Sequence, residues 1–594
     1  MSARAEAAVA TRVAWRGALR VRGRDVPVAV AVCSLLAALF AAGVWAHPAT
    51  RWLGYAGDPQ QATWFLRWTP YAIAHGQNPL LTDHIGYPGG VNLMWNTSMA
   101  LLGVVLAPIT LTAGPVVAYN VAVVMAFALS GVAAYALLRR LVGPGVAALL
   151  GALFYEFSPY TVAHALGQLD LTLVAGPPLM LLLIHEVLVR RRWSARRAGV
   201  LLGLVAAGQA LVAEELLASS AIAAVVVLVV LAVQDGSATP ARSRDGLRAL
   251  GWALLVFAPL MVLPLWVQLA GPQSLRGSVQ PSGFFVSDLL GLAVPTQSQL
   301  LAPQAAIDFT QRFSGNPVEW SAYLGLPLLA LLAFAAVRWW RDVRVRTATI
   351  CGGVFLVLSL GPSLHAGGHD TGIPLPWAVL DRVPLLDNIL PGRMTLYVDL
   401  CVAVVLAITV QNVRRVPALV MGRRAALALG AVGVSILPAL PLPTDSVPVP
   451  PFFTSDAAQR LPSSGSVLVA PFTSDFTAVA PMAWQASAGM AYRMPGGYAM
   501  IPDASGRAHQ GPPPTALSDA LQGIAAGRGA PVLSPSVLAR MRDDMRHWDV
   551  RAALVGPMPH RTEATAFLTA LLGCAPEAVD GVDVWEHAGA GGCA

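Results

Sequence analysis

Stretches of close to twenty uncharged, mostly apolar residues recur along this chain, and they fix its class before any motif is considered. As a helix, such a stretch spans the roughly 30 Å hydrocarbon layer of a bilayer. Within lipid every backbone amide must find its partner inside the protein, so helices or a closed barrel are the only solutions. Stretches near 27–46, 115–138, 144–163, 171–189, 198–213, 216–233, 249–270, 322–337, 347–362, 394–411 and 425–442 predict about eleven transmembrane helices. Only 12% of the 594 residues are charged and 56% are hydrophobic, against about 25% charged in a soluble domain. The expectation is an α-helical polytopic membrane protein.

Sidedness follows from arginine, because all 39 basic residues are Arg. With these spans, 24 of them flank one face, in clusters at 4–24, 139–140, 190–197, 242–248, 338–346 and 414–424. Arg51, Arg67, Arg276, Arg312, Arg382 and Arg393 flank the other. The positive-inside rule makes the first face cytoplasmic. The chain is thus expected in the plasma membrane, with a cytoplasmic N-terminus and residues 443–594 outside. The formal charge of +7 is then a matter of membrane orientation, and no nucleic-acid partner is expected. The basic arm, residues 1–26, marks topology and can touch anionic membrane lipids. The first apolar run is too long for the 7–15-residue core of a cleaved signal and reads as a retained span.

Residues 27–442 form the expected transmembrane domain, with three long outer loops at 47–114, 271–321 and 363–393. Loops beyond about 12–15 residues are usually functional or disordered, and the spaced Trp, Tyr, Phe and Pro of these three argue for order. Residues 99–112 are apolar but short and contain Pro108. They read as an interfacial or re-entrant helix; a true span there would move Arg139 and Arg140 to the outer face. A Pro-rich linker at 441–451 leads into residues 443–594, an expected extracytoplasmic α/β domain. Buried strands are predicted at 466–470 and 552–555, and helices at 515–526 and 536–547. Cys574 and Cys593 share that oxidising location and are candidates for a disulfide. Cys33, Cys351 and Cys401 fall in spans, as small packing residues.

Asp58, in Gly57-Asp58-Pro59-Gln60-Gln61 just past the first span, is the leading chemical candidate. A carboxylate at that depth is expensive unless it works or is paired, and a dehydrated setting raises its basicity. Asp-Pro is also a common turn dipeptide. Asp170 comes to the same face at the start of the fourth span, six residues after His164. Glu214 and Glu215 sit between two spans with almost no loop, and Glu319 lies in the second long loop. These acids and His164 could bind sugar hydroxyls or an acceptor, or simply face water. Trp64 and Trp68 flank Asp58, as an interfacial belt or as a stacking surface for a sugar ring. Of the arginines on that face, Arg393, Arg276 and Arg312 are placed to hold a phosphate bidentately. No Cys-x-x-Cys, His-Glu-x-x-His or phosphate-loop pattern occurs, so no metal site is assigned.

The order of these elements resembles the GT-C superfamily, membrane glycosyltransferases that use polyprenyl-phosphate sugars. The resemblance rests on a long acidic loop after the first span, on Leu137-Leu138-Arg139-Arg140-Leu141-Val142-Gly143, on Phe157-Ser158-Pro159-Tyr160 and on the Asp170 that follows. It is similar to the protein O-mannosyltransferase and aminoarabinose-transferase branch, to lipoteichoic-acid-modifying enzymes and to actinobacterial cell-wall transferases. The resemblance implies transfer of a sugar from a polyprenyl-phosphate donor to a cell-envelope glycan, lipid or protein. It puts Asp58 in the catalytic position and Asp170 in the second acidic position of the same cavity. Pro59 stands where the mannosyltransferases carry the second residue of an Asp-Glu pair. No ligand set for a divalent cation carries over, although the donor phosphate leaves such an ion as an open requirement. A transporter or flippase of a lipid-linked substrate, and a non-catalytic envelope assembly factor, are the competing readings.

Overall fold

The computed structural model describes residues 25–235, 240–281, 283–383, 386–414 and 430–593. The basic arm lies almost wholly outside them, as do residues 425–429 of the eleventh expected span. Helix α1 (Asp25–Phe40) leads through a long loop to α2 (Asp58–Ala74). Then follow α3 (Pro115–Leu141), α4 (Val146–Glu156), α5 (Pro159–His164), α6 (Gly176–Leu188), α7 (Ala195–Ala210), α8 (Glu214–Asp235), α9 (Pro240–Ala270), α10 (Leu326–Arg338), α11 (Val343–Ser359) and α12 (Thr395–Val413). Among the described residues six helical stretches are long and apolar enough to cross a membrane, and Asp25–Phe40 and Leu326–Arg338 are shorter apolar helices. These are the helices of a membrane protein.

Proline explains where the helices depart from the expected spans. The third expected span breaks between α4 and α5. Ser158 caps the new helix by accepting from the Thr161 amide, and Pro159 occupies the first turn, where its missing N–H costs nothing. Asp399 Oδ2 takes the Tyr160 amide at 3.3 Å and ties the break to α12. The fourth expected span begins only at Gly176, ahead of Pro177 and Pro178, with a separate turn at Leu169–Thr172. Residues 99–112 form two short helices, Ala100–Val105 and Ala107–Thr112, with Pro108 in the first turn of the second.

The two ends of the bundle differ in chemistry. At one end Arg139 pairs with Asp25 at 3.0 Å, Arg140 with Glu186 at 3.2 Å and Arg191 with Asp245 at 3.1 Å. Helix α9 runs from Asp245 at this end to Gln268 at the other. There Gln268 Nε2 donates to Glu214 at the start of α8. The acidic candidates gather at this second end. Helix α12 is mostly enclosed, with 89% of its apolar stretch buried, whereas in α8 and α9 only 22% is. Those two therefore lie at the periphery.

After the bundle, strand β1 (Ser466–Ala470) pairs in parallel with β2 (Val550–Val555). β2 pairs antiparallel with β4 (Val582–Trp585), which pairs with β3 (Glu577–Val579). Alternate residues of a strand face opposite sides, and here each side has its own core. Leu468, Ala470, Ala553 and Val555 pack with helices α13 (Ala516–Ala525), α14 (Pro535–His547) and α15 (Arg561–Leu572). Val467, Val469, Ala552 and Leu554 belong instead to the main core shared with the helical bundle. Cys574 and Cys593 are joined in a disulfide, with Cα atoms 6.2 Å apart.

A short helix, Ala480–Ser487, makes the junction by packing on α2. Its Gln485 is fully buried. It accepts from Trp64 Nε1 at 2.5 Å and donates to the His84 and Tyr492 carbonyls at 2.8 and 2.7 Å. Gln485→Ala strands the Trp64 N–H and the Tyr492 carbonyl, each worth about 1–3 kcal/mol when unpaired, whereas the His84 carbonyl keeps the Met494 amide at 3.0 Å. The substitution is expected to lower the unfolding midpoint in detergent by several degrees; an unchanged midpoint contradicts the assignment of this junction.

Candidate functional site

Asp58 does not sit in a loop turn. It is the first residue of α2, after Gly57 with φ 127°. Gln60 reaches back to the Gly57 amide at 2.8 Å and Pro59 fills the first turn. The carboxylate borders a cavity of about 550 Å³. Asp170, Glu214, Glu215 and Arg393 line the same cavity, as do Gln61, Asn96, Gln268, Asn388, Tyr498 and Gln510. Four acids expected from sequence thus converge, from α2, the Leu169–Thr172 turn and the start of α8.

Asp58 is held from across the molecule. Tyr498 Oη donates to Asp58 Oδ1 at 2.7 Å, over a separation of 440 residues. The other oxygen, Oδ2, looks toward Gly167, where a Cβ would come within 3.6 Å. Burial pushes the Asp58 carboxyl above its ordinary value; the Tyr498 hydrogen bond opposes this, Glu319 adds to it and Arg393 offsets it. Burial, followed by the nearby Asp58 charge, raises the Tyr498 phenol well above its own range. The phenol therefore stays protonated and donates.

Arg393 sits in the turn that opens α12 and is clamped by two carboxylates. Its NH1 contacts Glu215, while its NH2 and Nε donate to Glu319 at 2.6 and 3.2 Å. Glu215 also accepts the Leu390 amide at 2.8 Å. Glu319 further accepts from Gln168 at 3.2 Å and has His164 Nε2 at 3.4 Å. Burial disfavours the Glu319 carboxylate, but Arg393 and His164 outweigh it and hold the group well below the usual range. A guanidinium has five N–H donors, and this clamp engages three of them.

Several expected roles do not survive the geometry. Glu319 and His164 do not line the cavity. Both are buried; the Glu319 carboxylate is engaged by Arg393, and His164 Nδ1 bonds the Tyr160 carbonyl at 3.0 Å while its Nε2 faces Glu319. Trp64 and Trp68 are fully buried and stack on one another at 5.6 Å. Their indole N–H groups go to Gln485 and the Pro79 carbonyl. They form neither an interfacial belt nor a sugar platform, because α2 is covered by the C-terminal part of the chain. Arg276 and Arg312 are not among the cavity residues. The Arg276 amide donates to the Gly506 carbonyl at 2.7 Å, and the Arg312 guanidinium lies over Phe309 at 5.5 Å. Among the described residues no cluster of His, Cys, Asp and Glu is suited to a metal ion. Tyr498, Gln61, Gln268, Asn388 and Gln510 are cavity residues that sequence reasoning passed over. Gly496-Gly497 before Tyr498 flags a tight loop, but nothing local points from there to Asp58.

The family model described as Domain of unknown function (DUF6311) matches residues 29–436. The chain belongs to that family. None of the curated proteins matches it. Among solved structures, arabinofuranosyltransferase AftD from Mycobacteria is similar at 16% identity and a TM-score of 0.54. The match covers 95% of this chain but 40% of AftD, so this DUF6311 chain spans well under half of that protein's length. Oligosaccharyltransferase AglB from Archaeoglobus fulgidus matches at 13% identity and a TM-score of 0.44, covering 93% of this chain and 71% of that one. ArnT from Cupriavidus metallidurans matches at 13% identity and a TM-score of 0.36, covering 93% and 97%. The fold is GT-C-like.

Proposed function

We propose that this protein is a membrane glycosyltransferase that moves a sugar from a polyprenyl-phosphate donor to a cell-envelope acceptor. The observation that carries the reading is the junction of a cavity that bears four acids and Arg393 with a more apolar groove. The acidic cavity shares Leu217, Ala221 and Phe257 with an apolar groove of about 920 Å³ along α6, α7, α8 and α9. A cavity with clustered charged groups that adjoins a greasy groove, beside the two helices left most open, suits a substrate with a polar head on a long hydrocarbon tail. In this reading Asp58 takes the proton from the acceptor hydroxyl. Asp170 and Glu214 orient hydroxyl groups around it. Arg393 offers its remaining N–H donors to the departing phosphate. Its clamp by Glu215 and Glu319 fixes the guanidinium in place before the ligand arrives. The chamber would open on the extracytoplasmic face, as the arginine distribution requires.

The test is direct. Purified protein in nanodiscs is offered polyprenyl-phosphate-linked arabinose, mannose, glucose and galactosamine, each radiolabelled, with envelope extracts as acceptor. Transfer from at least one donor is expected. No transfer from any of them, together with movement of intact donor across the bilayer, would replace this reading with that of a flippase.

A further inference from the structure

Tyr498 belongs to the C-terminal part of the chain, yet its hydroxyl touches the carboxylate that the transmembrane part contributes. Three features hold it there. Its carbonyl accepts from Gln61 Nε2, one turn along α2 from Asp58, at 2.7 Å. Two residues on, Met500 and Asn96 exchange hydrogen bonds of 2.6 and 2.9 Å. Before it, Gly496 and Gly497 thread a gap too narrow for side chains: a Cβ on Gly497 would meet Ile85 Cβ at 2.7 Å, and one on Gly496 the Thr473 carbonyl at 2.8 Å. A loop anchored at both ends and pressed through such a gap sets the phenol against one oxygen of Asp58 and leaves the other uncommitted.

We propose that Tyr498 is a positioning residue for Asp58. Its hydroxyl occupies Oδ1 and presents Oδ2 to the acceptor, so that the C-terminal α/β part completes the reaction centre. This rests on the reading of Asp58 as the base. The charged and titratable groups that face Asp58 are Tyr498 from this loop, Tyr119 from α3, Asp170 from the Leu169–Thr172 turn, and Glu319 with Arg393. Of these only Tyr498 is hydrogen-bonded to the carboxylate. Donation to the ionised form favours that form. Removing it disfavours the carboxylate and frees it to rotate.

The experiment compares wild type, Tyr498→Phe and Asp58→Asn by two readouts. The first needs no substrate: infrared titration of the purified protein, with the Asp58 carboxyl band assigned as the one missing in Asp58→Asn. The second is the pH profile of transfer. In Tyr498→Phe the titration midpoint is expected to move to higher pH. The acid limb of kcat should move with it, with about a tenfold lower rate below the limb, the loss of one charge-assisted hydrogen bond, and KM little changed. An unmoved midpoint overturns the proposal whatever happens to transfer. A moved midpoint with full transfer by Asp58→Asn overturns the base reading, and the positioning role with it. Should Tyr498→Phe fail to fold, Gln61→Ala keeps the phenol but releases the Tyr498 carbonyl that anchors it, and a shift in the same direction is expected.

Discussion

Asp58→Asn is expected to slow glycosyl transfer by about 10²–10⁴-fold, the usual contribution of a positioned general base. Asn keeps the shape of the side chain and an oxygen for Tyr498 to donate to, so α2 and the loop over it should stay in place. What it loses is the ability to accept a proton. The folded state is checked by an unfolding midpoint close to that of wild type. The wild-type profile supplies a second check. Burial raises the Asp58 carboxyl, and a base must be ionised to work. Transfer should therefore fall as pH drops through a limb above the ordinary Asp range of about 3.9. Transfer by Asp58→Asn at the wild-type rate sinks the assignment of Asp58.

The largest effect on stability is expected from Arg393→Met. The arginine side chain is only 12% exposed and pairs with both Glu215 and Glu319, themselves 18% and 4% exposed. Breaking a buried ion pair by deleting one partner costs about 3–5 kcal/mol, because the charge left behind has no compensation. The sign of the pH dependence is informative. In wild type the Glu319 carboxyl is held below its unfolded value. Its contribution is present above about pH 4.3 and is lost as pH falls through the folded value. Without Arg393 burial dominates, the folded value rises above the unfolded one, and protonation stabilises instead. The deficit of Arg393→Met should thus be greatest at neutral pH and shrink toward acid. Adding Glu215→Gln and Glu319→Gln should restore most of the midpoint. A single variant that melts with wild type at every pH removes the network from the account.

The sequence carried the parts of the fold that depend on local pattern. Apolar runs located most of the bundle helices but not α2, which falls inside the region read as the first long loop; Pro108 marked residues 99–112 as something other than a span, and the two short apolar runs 466–470 and 552–555 became neighbouring strands. Asp58, Asp170, Glu214, Glu215 and Arg393 were legible because charges beside apolar runs are conspicuous. What the pattern could not reveal was which of them were already spent. Glu319 and His164 look like ligands for a sugar until Arg393 is seen between them and the cavity. Trp68 looks interfacial until it is found stacked on Trp64 and buried, and Trp64 until Gln485, 421 residues away, takes its indole N–H. Such pairings lie between segments far apart in the chain, and no periodicity encodes them. The breaks at Pro159 and Pro177 were visible as residues, yet apolar continuity across them favoured unbroken spans.

The bond between Tyr498 and Asp58 also has a consequence in time. A ribosome adding about 5–20 residues per second needs roughly 20–90 s to make the 440 residues that separate them. Throughout that interval the acid has been synthesised and the phenol has not. A nascent chain therefore lacks this pair until the segment that carries Tyr498 has emerged and packed against α2, so the cell meets the bonded carboxylate only in molecules translated past that segment.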